Sequence, residues 1–224
     1  VVSAIVERLP VTLRLIGLSM LISLAIALPL GIVSAVKRNS GVDLASTFFA
    51  LFGFSTPNFW LGLILIYVFA LVLRWLPASG FAGTRSLILP AITLGTALAA
   101  LVTRQLRSGM LEVLRQDYVR TARAKGLSER AVVYGHAMRN GLIPILTLLG
   151  LELPELISGA VIVESIFGVR GVGLLTLEAI RLPDYPLVIT IVAFIAAMTM
   201  LGTLLSDVLY VLADPRIQLG RREH

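Results

Sequence analysis

The chain has 224 residues, of which 57% are hydrophobic and only 14% charged, and its mean hydropathy is +0.93. Soluble domains carry about 25% charged residues, so this balance excludes one and calls for a protein built into a membrane. There is no cysteine, which excludes disulfides and thiolate metal sites, and His136 and His224 lie too far apart to suggest a metal pair. The net charge of +6 sits in loops between apolar runs, so orientation in a bilayer accounts for it better than nucleic-acid binding.

A helix that crosses a bilayer needs about 20 mainly apolar residues, and five stretches qualify. The chain opens at Val1 with Glu7 and Arg8 ahead of any apolar run, which is no signal peptide; further N-terminal sequence, including one more span, is expected. The first span runs from about Pro10, suited to a first helical turn, to Val36. Ser23, Ala27, Gly31 and Ala35 recur every fourth residue along it and form a stripe for close helix packing, and Pro29 predicts a kink. The second stretch, Leu44 to Leu73, is too long for one straight crossing. Ser55-Thr56-Pro57 divides it into a leading segment and a span from about Pro57 to Leu73, flanked by Trp60 and Trp75.

The third span covers about Leu87 to Val102, with Ala91, Gly95 and Ala99 as a second small-residue stripe, and continues as a polar helix past Arg104 and Arg107. The fourth extends from near Asn140 to about Ile157. A glycine-rich stretch from Glu164 to Tyr185 then reads as a surface or re-entrant segment, and the fifth span is Pro186 to about Leu212. Alternating topology places thirteen of the 19 Lys and Arg on one side, in the loops after the first and third spans and in the tail. The positive-inside bias makes that side cytoplasmic.

The longest polar segment, Asp117 to Asn140, reads as two short helices joined at Gly126. Asp117 suits a positive helix end, Gly126 the left-handed residue that closes a helix, and Ser128 with Glu129 the start of the next. Small and basic side chains flank the turn. A capped elbow of this kind between membrane spans suggests a plug for a groove on another protein.

Asp117 to Leu127 (DYVRTARAKGL), with His136-Ala137-Met138-Arg139-Asn140 and Ile143-Pro144, resembles the coupling loop of ABC-importer permeases, specifically the dipeptide/oligopeptide/nickel branch. The general importer motif is Glu-Ala-Ala, three residues, then Gly. Here Arg120, Thr121 and Ala122 hold the first three positions and Gly126 the last, while the later Ile-x-Leu-Pro falls on His136 to Arg139. Both departures are typical of the peptide branch. The likeness extends along the chain through Glu7-Arg8-Leu9-Pro10, Pro57-Asn58-Phe59-Trp60, Trp75 to Gly80 and Ala213-Asp214-Pro215-Arg216-Ile217, and the opening resembles the "B"-type subunit.

The resemblance implies an all-α integral membrane fold, a type I ABC-importer permease-like helical bundle with five spans here and six in the full-length protein. Residues 1–215 would form one transmembrane permease domain with a cytoplasmic coupling loop at about 113–140, and residues 216–224 a cytoplasmic tail, in a bacterial or archaeal inner membrane. It implies a second homologous permease, two ATP-binding subunits carrying ATP and Mg, and an extracytoplasmic solute-binding protein. Arg120, Thr121, Ala122, Ala124, Lys125, Gly126 and Leu127 would seat on the ATPase, with Ala122 and Ala124 allowing close approach. The chain has no G-x-x-x-x-G-K-[ST] loop, catalytic constellation or metal signature, so it is expected to be no enzyme and to bind no cofactor itself.

Glu152 lies twelve residues beyond Asn140, roughly 18 Å into the fourth span at 1.5 Å per residue, with Glu155 one turn further on the same face and Pro154 between them. Carboxylates at that depth face cavities or partners. The pair either lines a translocation pathway and attracts a cationic group, or pairs with an arginine of a neighbouring subunit, or lies outside a shorter span. The alternative function is an ion-coupled secondary transporter using Glu152 and Glu155 as proton sites; that class shows internal repeats, and none is visible. Asp207 in the fifth span reads as a packing or interface residue.

Overall fold

The computed structural model describes residues 2–80 and 83–213, without the side chains of residues 205–207 and 209–213. The expectations for Asp207 and for the tail at 216–224 therefore lie outside the described residues.

All regular structure among the described residues is helical. Helix α1, Val2–Val36, is one 35-residue helix that begins eight residues before Pro10. Pro10 is thus inside it rather than in its first turn. The early turns are helical because Ile5 is buried against Val172, Leu175, Ala179 and Ile191, with Leu9 packed at the edge of that cluster.

α2, Gly41–Ser55, starts at Ser40, whose hydroxyl accepts from the Asp43 N–H, and stops at Thr56. Pro57 then redirects the chain by 106° into α3, Asn58–Leu65, which continues as a π-helical stretch over Ile66–Val72. Trp75 folds back on Phe69, with ring centroids 5.9 Å apart. A 3₁₀ turn, Thr84–Leu87, leads into α4, Ile88–Val113.

α1 and α4 make the central contact of the bundle. Both small-residue stripes are buried in it, Ser23, Ala27, Gly31 and Ala35 on α1 and Ala91, Gly95 and Ala99 on α4, and the structure extends the first by one turn to buried Ser19. A Cβ at position 95 would lie 2.6 Å from the Ser19 carbonyl oxygen, so only glycine permits this approach. Large side chains close the layer on either side, among them Leu15, Leu89, Leu94, Leu98, Leu106 and Met110.

The fourth span is longer than its sequence suggests and is bent. α8, Ile143–Leu151, and α9, Leu153–Phe167, meet at Glu152 with a 49° change of direction. Glu164, read from sequence as the start of a surface stretch, is in the last turn of α9 and completely buried. It accepts a 2.6 Å bond from the Thr12 hydroxyl and a 3.1 Å bond from the Leu174 N–H. That carboxylate sits at the start of α10, Val172–Arg181, where the helix dipole favours an anion. The Arg8–Glu178 pair, 2.8 Å, fastens α10 to α1 on the other side. α11, Tyr185–Ala213, completes the bundle. Three helices, together with the two bent pairs, are long and apolar enough to make up to five crossings.

Candidate functional site

Three residues separate the end of α4 from the start of the elbow. α5, Asp117–Ala124, turns Val119 and Ala122 inward, where they pack with Val132 from the returning arm beside Val113 and Leu114. The i, i+3 spacing of Val119 and Ala122 puts them on one helix face. Gly126, at φ +79°, closes α5. Its N–H donates to the Arg123 carbonyl at 2.9 Å, and the Leu127 N–H donates to the Ala122 carbonyl at 3.4 Å, the two bonds of a Schellman cap.

The return arm starts at Ser128, whose hydroxyl accepts from the Ala131 N–H. α6, Glu129–Ala131, continues through π-helical Val132–Ala137 and α7, Met138–Gly141, towards α8. Two cross-links brace the arms. The Arg123 guanidinium grips Glu129 through both nitrogens, Nη2 to Oε1 at 2.7 Å and Nε to Oε2 at 3.1 Å. The Asn140 amide donates to the Tyr118 hydroxyl at 2.8 Å. Arg123 holds the Glu129 carboxyl below its ordinary range, and Glu129 in turn raises the guanidinium.

Of the seven elbow residues singled out from sequence, Arg120, Thr121, Ala124, Lys125, Gly126 and Leu127 are exposed along the tip. Ala122 is not among them. It is 6% exposed and faces Val132, so its small size lets the two arms close on each other instead of making room for a partner. Lys125 forms no ion pair with a described residue, while Arg120 makes only a loose 3.8 Å contact with exposed Asp117. Tyr118, Leu127 and Tyr134 add apolar area to the same surface.

Glu152 and Glu155 are brought together. Both line a cavity of about 430 Å³ bounded by Leu94, Ala97, Leu98 and Leu101 of α4 and by Phe54 and Asn58 on either side of the Pro57 bend. Neither carboxylate has an ion-pair partner among the described residues. Two chain breaks, at Pro57 and at Glu152–Pro154, thus face one space. Broken helices are tolerated in a bilayer where they line a cavity. Arg104, one turn beyond Leu101, lies over the Phe54 ring at 5.7 Å.

Sequence reasoning missed one cluster near the elbow. Arg107 of α4 meets the buried Asp43 of α2 bidentately, Nε to Oδ1 at 2.6 Å and Nη2 to Oδ2 at 2.8 Å. The Ser34 hydroxyl of α1 donates to the same Oδ1 at 2.5 Å, and the Asn39 N–H to Oδ2 at 2.9 Å. From sequence, Arg107 is placed only among the basic residues of the polar helix that follows the third span. The only local signal was the Ser40-x-x-Asp43 spacing of a helix start, which names no partner.

A bundle of apolar helices with two broken spans and a braced polar elbow is the architecture of a transporter's membrane subunit. The chain belongs to the family described as binding-protein-dependent transport system inner membrane component, which matches residues 27–219. It is 42% identical to the oligopeptide transport system permease protein AppB of Bacillus subtilis (strain 168), over 96% of this chain and 71% of that protein. It is also 42% identical to the di/tripeptide transport system permease protein DppB of Pseudomonas aeruginosa (strain UCBPP-PA14), over 95% of this chain and 71% of that one. Among solved structures it superposes on the inward-facing MetNI methionine ABC transporter with a TM-score of 0.78 at 15% identity, covering 95% of this chain and 97% of that chain. An amino acid ABC transporter crystallised with histidines gives 0.69 at 19% identity, covering 96% and 95%. At those identities the structures speak for the fold, which is that of a type I ABC-importer permease. The chain is a membrane subunit of an ABC importer.

Proposed function

We propose that this subunit imports peptides, with its elbow seated on an ATP-hydrolysing partner at the cytoplasmic face and with Glu152 and Glu155 lining the route. The peptide substrate is supported by relatives at 42% identity that are named for oligopeptide and di/tripeptide transport. The observation that carries the coupling role is the construction of the elbow. A Schellman cap, a hydroxyl cap, a bidentate ion pair and a buried apolar cluster stiffen a surface only some ten residues long. Such bracing suits a part that must transmit a rigid-body movement without deforming. Its tip offers Lys125, Arg120 and Leu127 to a cleft of acidic and apolar character.

In this reading the chain performs no chemistry. ATP and Mg belong to two partner subunits, a second permease completes the channel, and an external binding protein delivers the solute. Nucleotide binding at the partners shifts the balance between inward- and outward-open states. Glu152 and Glu155 offer the travelling peptide a site for its amino terminus. The placement of the elbow and the C-terminus in the cytoplasm rests on the excess of Lys and Arg on that side.

The test is reconstitution of the complex in vesicles with radiolabelled tri-alanine as the probe. Uptake that requires internal-face ATP and survives collapse of the proton gradient supports the reading. Uptake that continues without ATP while a proton gradient is maintained would overturn it in favour of ion coupling through Glu152 and Glu155.

A further inference from the structure

The two arms of the elbow reach the membrane bundle by different routes. The first arm is continuous with α4 through a three-residue turn. The second lies against the end of α1, where Ile32, Val33, Val36 and Lys37 form a shallow groove with Glu129, Arg130, Val133 and Tyr134. α1 and α4 are closely packed, with Gly95 against the Ser19 backbone and Gly31 against the Leu106 side chain, and are treated as one body. α2 rests on α4 near its far end, where Gly53 lies over Ala100 and the Thr96 carbonyl. What fastens its start is the Asp43 cluster: Ser34 from α1, Arg107 from α4, and the Asn39 N–H of the α1–α2 turn, all donating to one carboxylate.

Both oxygens of Asp43 are doubly engaged, and the Asp43 side chain is only 7% exposed. A guanidinium fork fixes the angle as well as the distance between α2 and α4, which a lysine at 107 would not do. From this fixed point to Phe54 α2 rises 11 residues, about 17 Å at 1.5 Å per residue. Its far end carries Phe54, at the wall of the Glu152–Glu155 cavity and just before the 106° bend into α3.

We infer that Asp43, Arg107 and Ser34 form a transmission clamp that makes α2 follow the α1–α4 body, so that displacement of the elbow is delivered to the Phe54–Pro57 bend at the cavity. These are positioning residues; none touches the solute or the nucleotide. The inference rests on the proposed coupling role of the elbow. It adds the route by which that motion enters the membrane.

The absence of cysteine allows single reporter thiols in this chain. Phe54→Cys reports the far end of α2 and Leu127→Cys the elbow tip, each in the assembled complex with its ATPase subunits, read as the rate of labelling by a soluble maleimide. With an intact clamp, ATP changes labelling at Phe54→Cys by about fivefold or more, within the range of ordinary allosteric coupling. Asp43→Asn abolishes that change while the ATP response at Leu127→Cys persists, and Arg107→Lys, which keeps charge but loses the fork, gives an intermediate value. A nucleotide response at Phe54→Cys that survives in both clamp variants overturns the inference, as does its absence with the clamp intact. Parallel loss of both reporters and of complex yield in the milder Arg107→Lys variant also overturns it, because the cluster then only holds the fold together. If Leu127→Cys itself responds to neither ATP nor the ATPase subunits, the coupling reading fails first, and the two failures are told apart.

Discussion

Gly126→Val tests whether the shape of the elbow, rather than its mere presence, carries the drive. Gly126 stands at φ +79°, and a Cβ built there meets nothing within 4 Å, so a side chain costs backbone strain and not collision. The left-handed conformation costs alanine about 1 kcal/mol and β-branched valine about 2 kcal/mol. Asparagine, which visits that region readily, loses a few tenths. Strain of about 2 kcal/mol shifts the closed-to-open balance of the elbow about thirtyfold towards open. Opening breaks the Gly126–Arg123 and Leu127–Ala122 bonds and frees Arg123 from Glu129. Insertion into the membrane depends on the spans and should be unaffected. The assay is peptide uptake per ATP hydrolysed in vesicles, normalised to inserted protein. The ratio should fall in the order Asn, Ala, Val, with Val lower by up to about thirtyfold, since each 1.4 kcal/mol is tenfold. Normal coupling by Gly126→Val would refute the role of the elbow. An asparagine as harmful as valine would show that the bound partner needs the space, and that the strain argument is wrong.

The parts of this structure visible in the sequence are those set by neighbours within about two helical turns. The small-residue stripes repeat every four positions and lie where α1 and α4 touch. The break at Thr56-Pro57 follows from the chemistry of proline, and the elbow from Gly126, Ser128 and Glu129 read in order. The orientation of Ala122 was also available locally. Val119 and Ala122 are the apolar i, i+3 pair of an otherwise polar helix, and a short exposed helix buries such a pair.

What could not be read depended on partners far along the chain. Glu164 looked like the edge of a loop because a carboxylate in an apolar helix is costly. It is tolerated because Thr12, 152 residues away, and the Leu174 N–H supply its hydrogen bonds. The glycines after it looked like loop punctuation. Gly171 in fact leaves the space its carboxylate occupies, and Gly173 lets α10 approach Val161 of α9. The pairing of Asp43 with Arg107 spans 64 residues. The positive-inside count treats every arginine alike, and so it hides Arg107, which is committed to an ion pair between α4 and α2.

Gly95→Ala should lower the melting temperature of the detergent-purified chain, because its methyl would press on the Ser19 carbonyl at 2.6 Å; overpacking of this sort costs about 1–3 kcal/mol, and an unchanged melt would mean that α1 and α4 can separate freely. The Arg123–Glu129 pair should weaken in acid. The folded Glu129 carboxyl titrates below its unfolded value, so its contribution is complete above that unfolded value, near pH 4.5, and is lost as pH falls through the lowered folded one. With side chains 40% and 53% exposed, screening holds that contribution under about 1 kcal/mol; limited proteolysis at the elbow should show the acid dependence, and Glu129→Gln should remove it. The last prediction concerns the cavity. Glu152 and Glu155 are unpaired among the described residues and face the same space as Asn58, so their negative charge is available to a positively charged solute. Replacing both with glutamine keeps their size and removes the attraction. Uptake of peptides with a free amino terminus or lysine side chains should then fall relative to amino-acetylated, uncharged ones. A substrate profile unchanged by the double substitution would mean that the carboxylates meet another subunit instead of the solute.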